Sequence, residues 1–272
     1  MTIDIHLFNE FLPASRGSSW NKLEAFADLA ENRLRNQFFG GTTVDHFKTL
    51  TTESVTGKMF ARTLTNLAYY EAVPFVDLIQ TDTGFAIVSN GNMAPASKER
   101  VSAVREASRT LACIGISDLL NRIVKDTALR EMWLASPVSE RFTDGVIWVP
   151  ADTEYGIFGA DRLSEELADI RSAERYVAEY VSHELIARIV RERKESETEN
   201  RDLRLFRLTV RAVTERFRNN GSRDLGILID FLNRHSETYP EYAQSDAFKA
   251  NNRKEDPERT DDNTFFMLGG IR

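Results

Sequence analysis

Apolar side chains recur at helical spacing along most of this chain, and that rhythm restricts the fold more than any other feature. Leu203, Phe206, Val210, Val213 and Phe217 follow at intervals of three and four, which puts all five on one face of a 3.6-residue helix. Leu23, Phe26, Ala27, Ala30, Leu34 and Phe38 form a second such face, with Ser18 or Ser19 as cap and Gly40–Gly41 as stop. Phe60, Leu64 and Leu67 begin a third helix, expected to end before Pro74, because proline disfavours helical backbone in the residue before it. Further faces run through Val101, Val104, Ser108 and Leu111, then through Leu120, Ile123 and Val124 with Ser117 as cap. Leu163, Leu167 and Ile170 continue through Val177, Val181 and Leu185, and Leu225, Leu228, Ile229 and Leu232 follow the Asn219-Asn220-Gly221 break. A mainly α fold, a helical bundle, is the expectation.

Three stretches depart from that rhythm. Val76, Leu78 and Ile79, then Asp82-Thr83-Gly84, then Phe85, Ile87 and Val88 read as a short β-hairpin or extended arm near residues 76–92. From Pro137 to Gly159 the prolines and glycines surround Val146, Ile147, Trp148 and Val149, which suggests a loop or a lone strand needing a partner. Beyond Pro240 the chain turns polar, yet it ends in Phe265, Phe266, Met267, Leu268, two glycines and Ile271. That gives a helical domain over 1–240 and, over 241–272, a polar tether with an apolar, extended C-terminal tail. Such a tail either folds back on its own domain or docks on a neighbour.

Composition narrows the function. A net charge of -7 argues against a protein whose main work is gripping phosphates. The basic cluster Arg188, Arg191, Arg193 and Lys194 is interrupted and followed by glutamates and reads as a solvated helix face. Cys113 is the single cysteine, so no internal disulfide forms, and its apolar neighbours suit a small buried hydrophobe. The N-terminus lacks the marks of a signal peptide and no segment has the length of a membrane span, so synthesis in the cytoplasm and no membrane partner are expected.

There is no phosphate loop ending in lysine and serine or threonine, no dinucleotide glycine triplet and no nucleophile elbow. His183-Glu184 begins like a zinc-peptidase helix, but the second imidazole must fall four residues on, where Ala187 stands. Glu165, Glu166 and Asp169, with His183, would supply a metal-dependent hydrolase; without another catalytic element they read as a solvated acidic face. The three tryptophans and 17 phenylalanines mostly follow helical spacing and are assigned to the core. No enzyme activity, catalytic residue, metal or cofactor is expected.

The most distinctive wording is Val73-Pro74-Phe75-Val76-Asp77, then Thr83-Gly84-Phe85-Ala86-Ile87-Val88-Ser89-Asn90, then Asn92-Met93-Ala94-Pro95-Ala96-Ser97-Lys98-Glu99-Arg100-Val101. This stretch resembles the head–tail connector (adaptor) proteins in the structural modules of Bacteroidota tailed phages and prophages; the terminal Phe265-Phe266-Met267-Leu268-Gly269-Gly270 adds weaker support. The resemblance implies a virion neck protein, assembled in the host bacterial cytoplasm. It would form a ring of identical subunits, a dodecamer by analogy with phage adaptors, between the portal protein and a tail-side neck protein. DNA would pass through the lumen without sequence-specific binding. Thr83, Gly84, Phe85, Ile87, Val88 and Asn90 would form the inter-subunit arm, and Phe265, Phe266, Met267, Leu268 and Ile271 the portal-docking tail. A stopper or tail-completion protein of the same neck, or a non-viral cytoplasmic helical scaffold or regulator, are the alternatives.

Overall fold

A computed structural model describes residues 1, 3–12, 20–76, 78–81, 84–87, 97–152, 160–195 and 202–252. The chain is a mainly α helical bundle whose buried apolar side chains, from Phe8 to Tyr242, form one continuous core. Its first half comprises α1 (Ile5–Phe11), α2 (Trp20–Leu34), α3 (Gly41–Thr49), α4 (Val55–Val76), α5 (Lys98–Lys125), α6 (Thr127–Leu134) and α7 (Pro137–Thr143). α4 sits between α2 and α5. Lys22 and Arg33 of α2 bond Val76 and Glu71 of α4, so those two helices run antiparallel. Arg105 and Gly115 of α5 meet Tyr70 and Thr63, which makes α5 antiparallel to α4 as well.

Local chemistry explains each boundary. α2 passes into a π-helical turn, Arg35–Phe39, and stops at Gly40, whose φ of 78° favours a residue without Cβ. A methyl at Gly40 would also collide with the Ser136 side chain. α4 does not stop before Pro74 as expected; the proline lies inside its last turns. Proline at 74 leaves the Tyr70 carbonyl without its helical donor, and Arg105 Nε supplies one at 3.4 Å, while Lys22 Nζ caps Val76 O at 3.0 Å. Ser117 likewise begins no new helix. Its hydroxyl bonds the Cys113 carbonyl at 2.8 Å, within an unbroken α5, and Cys113 is only half-buried.

Between α4 and α5 the backbone forms two strands, β1 (Leu78–Thr81) and β2 (Gly84–Ile87), paired antiparallel with Leu78 opposite Ile87 and Thr81 opposite Gly84.

The second half comprises α8 (Ala160–Val181), α9 (His183–Lys194), α10 (Leu203–Asn219), α11 (Arg223–Arg234), α12 (Pro240–Ala243) and α13 (Asp246–Asn251). Expected as one run, α8 and α9 are separated at Ser182, whose hydroxyl accepts from Leu185 N at 3.2 Å and caps α9. The break frees the last carbonyls of α8. Ser245 Oγ donates to Val181 O at 3.3 Å and Asn251 Nδ2 to Tyr180 O at 2.9 Å, so α12 and α13 are fastened there. The part of segment 241–272 that lies within the described residues is therefore largely helical. α8 contacts α5 and α7, joining the two halves.

Candidate functional site

The arm assigned from sequence leaves the bundle at the C-terminal end of α4. Gly84, Phe85 and Ile87 fall on β2, while Thr83, Val88 and Asn90 lie outside the described residues. The root of the arm is apolar. Phe75 stacks on Phe26 with ring centroids 5.5 Å apart, yet 58% of Phe75 remains exposed, and Leu29, one turn along α2 from Phe26, is 50% exposed. The Arg33–Glu71 ion pair, 2.9 Å, closes the same α2–α4 seam further along. All the tail residues, Phe265, Phe266, Met267, Leu268 and Ile271, lie outside the described residues.

Of the two expected forms, loop or lone strand, the stretch from Asp144 to Val149 takes the loop, and the loop is buried. Val146, Ile147, Trp148 and Val149 are all fully buried, and Trp148 meets Trp133 edge-on at 6.4 Å. A buried loop must find partners for its backbone, and here charged side chains provide them. Val146 N donates to Glu174 Oε1 at 2.7 Å, and Trp148 N and Val149 N both donate to Asp152 Oδ2, at 2.7 and 2.9 Å. Arg193 Nη1 donates to Val146 O, its Nη2 pairs with Asp152 at 2.7 Å, and its guanidinium lies 4.3 Å from the Trp148 ring. Arg130 in turn donates to the Arg193 carbonyl. Burial pushes the Glu174 carboxyl above its ordinary pKa, against the pull of Arg171 at 2.8 Å.

Arg193 thus departs from the solvated face expected of its cluster. Its signal was present in the spacing: Leu185, Ile189 and Arg193 are four apart, which carries Arg193 onto the buried stripe while Arg191 and Lys194 stay exposed.

Where α8 gives way to α9 the surface opens into two clefts that share Ala178 and His183. One, of about 780 Å³, holds Glu179, Glu184, Glu241 and Asp246 between α8, α9, α12 and α13. The other, of about 520 Å³, runs between α8 and α9, where Arg171 pairs with Glu174 and Lys194 with Asp144, while Arg175 and Arg191 stand over an apolar floor of Ala178, Ile186, Ala187 and Val190. Arg188 engages Glu241 at 3.0 Å, and Lys249 engages Asp246 at 2.9 Å. Among the described residues no ion pair occupies Glu179, Glu184, Arg175 or Arg191. The residues of the hydrolase reading are spread along these helices, with Glu165, Glu166 and Asp169 on α8 and His183 opening α9.

A family model described as a family of unknown function, DUF6712, matches residues 22–142 and 206–252, more than half of the chain. The chain belongs to that family. The DUF6712 match takes in α2 through α7 and most of the segment from α10 to α13; the buried loop, α8 and α9 fall between the matched parts. No curated protein and no solved structure matches the chain.

Proposed function

We propose that this chain is a structural subunit of a phage virion neck, a head–tail connector that forms a ring between portal and tail and lets DNA pass. One observation carries the reading: a two-stranded arm with a half-covered apolar root at Phe75 and Leu29. Among the described residues no third strand pairs with either edge, and an isolated two-stranded hairpin is marginal in water unless something packs on it. A ring of identical subunits supplies such a surface, since each heterologous contact joins a projecting element of one copy to a different face of the next. The wording of residues 73–101, which resembles that of connector proteins, supports the same assignment. The net charge of -7 suits a lumen that must not hold the duplex by its phosphates.

In this reading the arm from Val76 to Asn92 meets the adjacent subunit, and Phe265, Phe266, Met267 and Leu268 dock on the portal. Two measurements test it. Electron microscopy of the purified chain together with the portal protein should show rings seated on the portal. Truncation after Asn263 should abolish portal binding, and unchanged binding would sink the assignment of the tail. A uniformly monomeric chain, in the presence of the portal as well as alone, would remove the ring.

A further inference from the structure

α5 carries two apolar faces, and only one of them is turned to α4. Ser108, Ala112, Ile116 and Leu119 are buried, and Arg105 and Gly115 meet Tyr70 and Thr63 of α4. About a third of a turn away, Val104, Ala107, Leu111 and Ile114 follow at intervals of three, four and three, the spacing of a helix–helix seam. Val104 is 39% and Ile114 51% exposed, Ala107 is exposed and Leu111 half-buried. Ala103, Thr110 and Ser117 border the stripe with small side chains. Arg100 stands one turn before it and Asp118 one turn after it, and neither has an ion-pair partner among the described residues.

Reversed end for end, this stripe is its own complement. When a second α5 is laid antiparallel with the two helices centred at Arg109, Val104 faces Ile114 of the other copy, Ala107 faces Leu111, and Arg100 faces Asp118, each twice by symmetry. We propose that α5 is a homodimer seam, in which two copies of the chain pack antiparallel through Val104, Ala107, Leu111 and Ile114 and are locked in register by Arg100 of each against Asp118 of the other. Each apolar layer sets a smaller side chain against a larger one, which fills the seam without voids. Charge fixes the direction, because a parallel pair would place Arg100 against Arg100 and Asp118 against Asp118. From residue 100 to residue 118 the seam is about 27 Å long; one helix pair of that length lies at the low end of specific interfaces, so the dimer is weak, with a Kd of about 10 µM or more. The contact is isologous and closes on itself. It therefore belongs to the free chain, not to the joints of a one-way ring, and does not rest on the connector reading.

Sedimentation of the full-length chain without the portal protein should show monomer passing to dimer between about 1 and 300 µM. Ile114→Asp touches both ends of the seam and should hold the chain monomeric over that range, with its melting temperature unchanged because the side chain is half exposed. Arg100→Asp should weaken dimerisation about fivefold, as expected for two exposed pairs, and adding Asp118→Arg should restore it with the charges exchanged. Direction is read by cross-linking in a Cys113→Ser background. Oxidised with copper–phenanthroline, a mixture of Val104→Cys and Ile114→Cys chains should form the mixed disulfide; Val104→Cys alone should not, since its two thiols lie about 15 Å apart along the seam. A chain still monomeric at the highest concentration, a dimer indifferent to Ile114→Asp, or Val104→Cys chains that link to each other as readily as the mixture would overturn the seam. None of those results touches portal binding or Phe75, which lies outside the stripe, so the seam and the connector reading stand or fall separately.

Discussion

Arg193 shows how much a single side chain can carry in this fold. It holds the Val146 carbonyl, pairs with Asp152 and lies between the Trp148 and Phe206 rings, at 4.3 and 5.0 Å. Removing one partner of such a pair leaves the other charge buried, which costs far more than the pair contributes. Arg193→Met is therefore expected to lower stability by about 3–5 kcal/mol in chemical denaturation, with Arg193→Lys close behind, because one ammonium cannot serve the carbonyl and the carboxylate together. Asp202 offers a pH test. It caps α10 through Arg204 N and Leu205 N and accepts from the Tyr239 hydroxyl; although burial acts to raise its pKa, these bonds hold it below the ordinary carboxylate value. Its stabilisation is then complete above the unfolded pKa and is lost as pH falls through the lowered folded one. Asp202→Ala should cost about 1–2 kcal/mol near neutrality, and the gap between variant and wild type should close in acid.

Among the elements, the close approach of α4 and α5 depends on Gly115, where a Cβ would run into the Thr63 side chain. Gly115→Val should destabilise by about 1–3 kcal/mol through overpacking. Thr63→Ala should recover part of that loss in a double-mutant cycle, since the two sites touch. Helix existence was legible from spacing, and the faces of α2 and α11 fall where the apolar residues place them; on α10 Val210 and Val213 turn inward as expected, but Leu203 is 53% exposed and Leu205 is buried. The ends were less legible, because their causes are distant in sequence. Pro74 is tolerated only because Arg105, on another helix, reaches the Tyr70 carbonyl. Ser117 and Ser182 are the same residue type in similar company, yet one bonds a carbonyl four residues back inside α5 and the other caps α9. The run around Trp148 is a loop, one of the two forms expected, but its burial was not legible for a related reason: its backbone partners, Glu174 and Arg193, come from two later helices.

For the whole molecule, what could be read in advance was the helical bundle, written in the apolar spacing, and not the cleft between α8 and α9. That cleft exists because Ser182 breaks one helical rhythm into two helices and so sets Arg175 across from Arg191, a relation that periodicity alone does not encode. The arm's root gives the assembly test. Phe75 is 58% exposed and, among the described residues, stacks on Phe26 at the surface of the bundle, so Phe75→Asp removes apolar contact area while barely disturbing the core. Exposed substitutions usually change stability by about 0.5 kcal/mol or less, whereas an aromatic anchor at the centre of an interface carries about 2 kcal/mol or more. Over the many equivalent contacts of a ring that second figure accumulates with each joint. Phe75→Asp should therefore melt within a few degrees of the wild type and yet, on the proposed connector reading, sediment as free subunits under conditions in which the wild type is expected to form rings. Rings of undiminished stability would mean that neighbouring copies meet elsewhere on the molecule, and the arm would lose its assigned place.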